Sequence, residues 1–182
     1  MSTAQPTLND IWLLFQEVAL QSKETDRKFK ETDRMLKELA KKHGDLGNRL
    51  GEFVQDMVRP AVVRLFRERG VDVHEVHPGV SVERDGEAAE IDLLVVNDLE
   101  GIAVECKSKL ALEDVDEHLE RLGKLKRLLP KYGDVCMMGA VAATVMPDAV
   151  ARYAYRKGLY VLAQSGEGVL IPNDGKFSPR VW

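Results

Sequence analysis

The feature that most constrains this chain is a pair of apolar runs, Glu90-Ile-Asp-Leu-Leu-Val-Val-Asn and Gly101-Ile-Ala-Val-Glu-Cys-Lys-Ser, with only Asp98, Leu99 and Glu100 between them. Both runs are rich in β-branched residues and leucine and are bounded by Asn97, Asp98 and Gly101, which predicts two strands buried on both faces. Three ionisable residues nevertheless sit inside them: Asp92, Glu105 and Lys107. Unpaired charge in a core is costly, so these groups must neutralise one another, hold a metal or do chemistry.

Strand periodicity puts Glu105 and Lys107 on one face, with Ile102, Val104 and Cys106 on the other. If the hairpin turn has an even number of residues, either 97–100 or 98–101, Asp92 lies directly opposite Glu105 or Lys107. Directly opposed Cβ atoms are about 5 Å apart, so two carboxylates and an ammonium converge, with Glu90 on the same face. Two close carboxylates repel unless a cation lies between them, and hard oxygen donors suit Mg²⁺ or Mn²⁺. Lys107 beside such an ion orients a water or helps to deprotonate it, the arrangement needed for hydrolysis of a phosphodiester. The competing reading is an exposed Glu-x-Lys salt bridge of little energetic value. The flanking apolar runs argue against that.

At these residues the chain resembles the PD-(D/E)XK, or restriction-endonuclease-like, nuclease superfamily. The motif is an Asp on one strand followed by (Asp/Glu)-x-Lys on the next, here Asp92 and Glu105-Cys106-Lys107, with Ile91 in place of the Pro before the Asp. The likeness spans residues 44–172, in a branch carrying an N-terminal coiled coil. It implies an α/β fold with an αβββαβ core and a mixed sheet, and Mg²⁺- or Mn²⁺-dependent cleavage of nucleic acid, DNA foremost. It further implies Asp92 and Glu105 as metal ligands, the Cys106 backbone carbonyl as a third, and Lys107 acting on the water. The first helix of such proteins often adds an acidic ligand; Glu52 is the matching position, and reads equally as a solvated carboxylate. Some members carry Gln and Tyr on the helix after the Lys, and both are missing here. A non-catalytic coiled-coil scaffold, or a nucleic-acid-associated protein with a degenerate nuclease fold, is therefore the alternative.

The formal net charge of -4 argues against a broadly basic nucleic-acid binder. Residues 1–43 carry 8 basic against 7 acidic side chains, leaving 18 against 23 for the rest, so DNA contact would need a local patch. His118, Arg121 and Lys124, on the helix predicted over 112–129, are candidates for a phosphate contact, with a solvated polar face as the alternative. Cys106 and Cys136 lie in apolar runs without zinc or disulfide spacing and read as buried reduced thiols. His74 and His77 lack the spacing of a zinc helix. The apolar run 11–15 is too short for a membrane span or signal peptide, so the expected location is cytoplasmic, with no membrane partner.

Residues 7–43 repeat every seven: Lys23-Glu-Thr-Asp-Arg-Lys-Phe is followed by Lys30-Glu-Thr-Asp-Arg-Met-Leu. Leu8, Phe15, Ser22, Phe29, Leu36 and His43 fall at heptad position a, and Ile11, Val18, Thr25, Thr32 and Leu39 at d. This is a coiled-coil seam, and it predicts a homo-oligomer. Gly44, Gly47 and Gly51 suggest a hinge, dividing a helical segment 1–43 from a domain 44–182. A helix from Leu50 to near Gly70, kinked at Pro60, a strand from Val71 to His77 and a second segment to Gly86 precede the central hairpin. A buried strand 134–143, a helix 148–157 started by Pro147, and closing strands 159–164 and 169–172 follow it.

Overall fold

The computed structural model describes residues 7–166 and 168–182, so residues 1–6, Glu167 and the His43 side chain assigned to position a lie outside the described residues. The chain divides into two compact units, one ending at Leu46 and one spanning Gly47–Trp182. Helix α1, Leu8–Arg67, contains Gly44, Gly47 and Gly51, which corrects the expected interruption there. None of the three adopts the left-handed conformation that ends a helix, whereas Gly70, just past the end of α1, does at φ +83°. Among the described residues no helix is long and apolar enough to cross a membrane.

In the unit from Gly47, six strands form one mixed sheet in chain order: β1 Glu75–Arg84, β2 Glu87–Val96, β3 Glu100–Lys109, β4 Cys136–Val145, β5 Tyr160–Ser165 and β6 Gly168–Leu170. β1, β2 and β3 are antiparallel neighbours, β3, β4 and β5 are parallel, and β6 returns antiparallel to β5. The parallel steps need crossovers, supplied by helices α2, Leu112–Leu128, and α3, Asp148–Arg156. The order α1, β1 to β3, α2, β4 is the expected αβββαβ core. Pro147 precedes α3, and Gly158, at φ +81°, follows it.

Two apolar layers close the sheet. Val54, Val58, Val62 and Phe66 of α1 cover Leu93, Val95, Ile102, Val104 and Cys106, with Phe66 edge-on to Tyr160 at 5.3 Å between ring centroids. Val115, Leu122 and Leu125 of α2 and Val150 and Ala154 of α3 cover Leu94, Val96, Ala103 and Val141 on the other side. Because β3 is covered on both faces, its run is apolar throughout until Glu105.

Three local features depart from expectation. β1 begins at Glu75 rather than Val71 and runs through Pro78-Gly79; Val71 and Val73 are buried without being in a strand. Within β1 and β2 the faces switch. Val76 packs with the α1 layer but Val80 with the α2 layer, and Ile91 with the α2 layer but Leu93 with the α1 layer. The switch falls where Gly79 would pair with Asp92, between Pro78↔Leu93 and Val80↔Ile91, and Gly79 takes φ +59° there. Finally, Cys106 is buried but Cys136 is exposed, because β4 begins at Cys136 on the rim of the sheet.

The carboxyl-terminal residues are tied into the sheet. Trp182 donates its backbone N–H to the Met137 carbonyl at 2.9 Å, and Val181 bridges Met138, covering the start of β4 that β5 does not reach. Gly158 is needed for this: a Cβ there would lie 2.8 Å from the Arg180 backbone nitrogen.

Candidate active site

The β2–β3 hairpin turns at Asn97, whose Oδ1 accepts from the Leu99 and Glu100 N–H groups at 2.7 and 2.6 Å. Four residues, 97–100, lie inside the Val96↔Gly101 pair, so the turn is even. The pairing ends at Leu93↔Val104. One step further, in the same register, stand Asp92 and Glu105. The ladder to β2 is open here, while β3 stays paired to β4 through Glu105↔Val141 and Lys107↔Ala143. The Cys106 N–H finds a replacement acceptor in the Asp92 carboxylate, which takes it through Oδ2 at 2.6 Å.

Glu105 is 2% exposed, and its charge is met from two sides. Lys107 Nζ lies 3.0 Å from Oε1, and Arg121 on α2 brings a guanidinium nitrogen to 2.8 Å from Oε2. The second contact is a charge contact only. Glu105 Oε2 and Arg121 Nε and Nη2 are buried atoms without an aligned hydrogen bond. Lys107 also reaches Asp114 at 3.7 Å, and Asp114 accepts from the Ala111 N–H at the start of α2 at 2.8 Å.

These positions set the protonation states. Burial, then the negative charge of Glu105, pushes the Asp92 carboxyl above its ordinary range. For Lys107, burial works against the ammonium, but the hydrogen bond and charge of Glu105, joined by Asp114 and Asp92, outweigh it and hold its pKa up. Lys107 is therefore a hydrogen-bond donor at neutral pH.

The remaining candidates separate. His118 is buried, with Nε2 3.2 Å from the Ala103 carbonyl and Nδ1 4.0 Å from Glu105. Burial lowers its pKa to about 4, so it is neutral and cannot offer a charge to a phosphate; this corrects its placement on a nucleic-acid face. Arg121 also turns inward, its Nη1 3.4 Å from the Glu90 carbonyl. Lys124 is exposed on α2, and the Glu90 side chain is exposed. Glu52 is exposed as well, and the α1 residue that reaches the site is Gln55, whose amide donates to the Asp92 carbonyl at 2.7 Å. Gly51, one turn earlier, backs the Cys106 carbonyl: a methyl there would sit 4.0 Å from that oxygen. Gln55 and Asp114 carried only weak signals in the sequence, a polar residue within a helical apolar pattern and an acid in the first turn of α2.

Among the described residues no group of three His, Cys, Asp or Glu side chains is arranged to hold a metal ion. The Glu105 oxygen without an aligned hydrogen bond, Oε2, is buried 2.8 Å from the Arg121 guanidinium, so a hard cation at Asp92 and Glu105 would have to share or displace that contact.

No family model matches the chain, and no curated protein matches it. Among solved structures, the crystal structure of a protein of unknown function, AF1548, is similar at 19% identity with a TM-score of 0.39, over 64% of this chain and 58% of that one. Can2 from Sulfobacillus thermosulfidooxidans, solved in complex with cyclic tetra-adenylate, is similar at 14% identity with a TM-score of 0.37, over 63% of this chain and 31% of that one. The chain thus spans less than two thirds of either.

Proposed function

We propose that the unit from Gly47 hydrolyses phosphodiester bonds of nucleic acid, DNA foremost, in a metal-dependent reaction. The observation that supports it is the placement of Asp92 and Glu105 one step past the last β2–β3 pair, with Lys107 3.0 Å from Glu105. Asp92, Glu105 and the Cys106 carbonyl would hold Mg²⁺ or Mn²⁺, which when bound supplies an acidified water and positive charge at the scissile phosphate. Lys107, kept protonated by its acidic neighbours, orients the water and donates to a phosphate oxygen. Gln55 and the Cys106 N–H fix Asp92 at its backbone and at its side chain. Arg121 holds the inner oxygen of Glu105. Together with Lys107, Arg121 already offsets the charge of Glu105 without a metal, and this favours a second reading, a scaffold whose nuclease-like sheet no longer cuts.

The heptad seam of α1 supports self-association of the chain in either case. Calorimetric titration with Mg²⁺ and Mn²⁺, wild type against Asp92→Ala, tests the site without knowledge of the substrate. Saturable binding lost in the variant is expected. Equal heats from both proteins would leave the scaffold in front.

A further inference from the structure

Outside the sheet, the heptad face of the segment ending at Leu46 is an exposed surface that the site above does not use. Its a and d residues stand in water: Leu8 is 80% exposed, Phe15 68%, Phe29 78% and Leu39 64%. An exposed apolar stripe of this kind, even with polar residues at Ser22, Thr25 and Thr32, marks a binding surface. We propose that its occupant is a second copy of the same segment, parallel and in register. This rests on the self-association read above and adds orientation and alignment to it.

Charge on the flanks of the seam decides the orientation. With Leu8 at a, the charged residues at e are Asp26 and Asp33, both acidic, and those at g are Lys28 and Lys42, both basic. In an antiparallel pair e faces e and g faces g, so no register of this seam brings opposite charges together. In a parallel pair each g faces the e of the following heptad across the interface, so Lys28 meets the partner's Asp33, and the contact occurs twice by symmetry. Both side chains now hold only exposed ion pairs in their own helix, Lys28 to Glu24 at 3.0 Å and Asp33 to Lys37 at 2.8 Å. Such pairs are weak and leave both groups free to bridge.

The polar positions of the seam decide the register. In-register pairing sets Ser22, Thr25 and Thr32 against their own counterparts and Phe15, Phe29 and Leu36 against theirs. The antiparallel alignment that matches the ends of the seam would lay Phe15 against the partner's Thr32. Thr25 and Thr32 donate their hydroxyls to the Gln21 and Lys28 carbonyls at 2.8 and 2.9 Å, so both can be covered without stranding a donor.

The test uses the full chain. In a Cys136→Ser background, which removes the exposed thiol, Leu36→Cys places a thiol at an a position, and a–a contacts occur only in parallel pairs. Oxidised glutathione should convert most of this protein to a disulfide-linked dimer. Lys28→Asp should weaken association about tenfold at low salt, and adding Asp33→Lys should restore it. A chain that is monomeric by light scattering at micromolar concentration overturns the self-association itself. An oligomer that does not cross-link at Leu36→Cys, or whose charge reversal is not rescued, overturns parallel pairing and leaves self-association standing.

Discussion

The two units each hold side chains where simple partition would not put them, and they do so in opposite senses. Along the first part of α1, phenylalanine and leucine stand in water; at the open end of the β2–β3 ladder, carboxylates and an ammonium stand in the sheet, met by a guanidinium from α2. An exposed apolar stripe loses little until a partner covers it, since each residue forgoes only a gain. A buried charge must be answered inside the fold, and it is, by Lys107 and Arg121. Only the second kind of misplacement leaves a record of its answer within one chain.

The sharpest way to break that contrast is at Lys107. Lys107→Ala should lower nucleic-acid cleavage by about 10³-fold while Mg²⁺ still binds, since the ammonium is assigned to water and phosphate. A panel of single-stranded, duplex and branched DNA and RNA reads the first effect and calorimetry the second. Activity that survives unchanged would separate cleavage from this site.

Next in size is the pH response of the buried histidine, measured with chelator present. The folded-state pKa of His118, about 4, lies below its ordinary value of 6.5, so the unfolded chain takes up the proton first. The stability involved is fully present above pH 6.5 and is lost as pH falls toward 4, in all about 3 kcal/mol. Urea midpoints across this range should show that slope, and His118→Leu should flatten it. Asp92, whose carboxyl is raised by burial and by the charge of Glu105, acts in the opposite direction, since the folded chain takes up its proton first.

On the helix, Phe29→Asp should weaken self-association about 100-fold, read by light scattering, and leave the melting of the sheet unit unchanged. A coupled loss of both would mean that the two units are not energetically separate. The smallest effect is expected for Glu105→Ala in metal-free protein. Arg121 would lose its carboxylate partner and Lys107 would keep only Asp114 and Asp92, but both cations are partly wet, so the loss should be about 2 kcal/mol, below that of a fully buried pair. Urea denaturation measures it, and an unchanged midpoint would show that solvent already carries those charges.

By itself the sequence determined the order of elements and the shared face of Glu105 and Lys107, and for an even hairpin it left Asp92 opposite either Glu105 or Lys107. Each follows from a period of two or of three and a half and from local turn chemistry at Asn97, Pro147 and Gly158, which act within a few residues of themselves. Periodicity names a face; it does not give the depth or the partner across it. Tertiary structure decided that Gln55 hydrogen-bonds the Asp92 backbone, that His118 turns inward, and that Cys136 is left on the rim. It also decided that β1 and β2 change faces at Gly79 and Asp92, and that Trp182 closes the start of β4. A residue at the margin of a helical apolar stripe goes in or out with a small rotation of the helix on the sheet, and that rotation is set by the packing of Leu122, Leu125 and Val115 against strands distant in the chain.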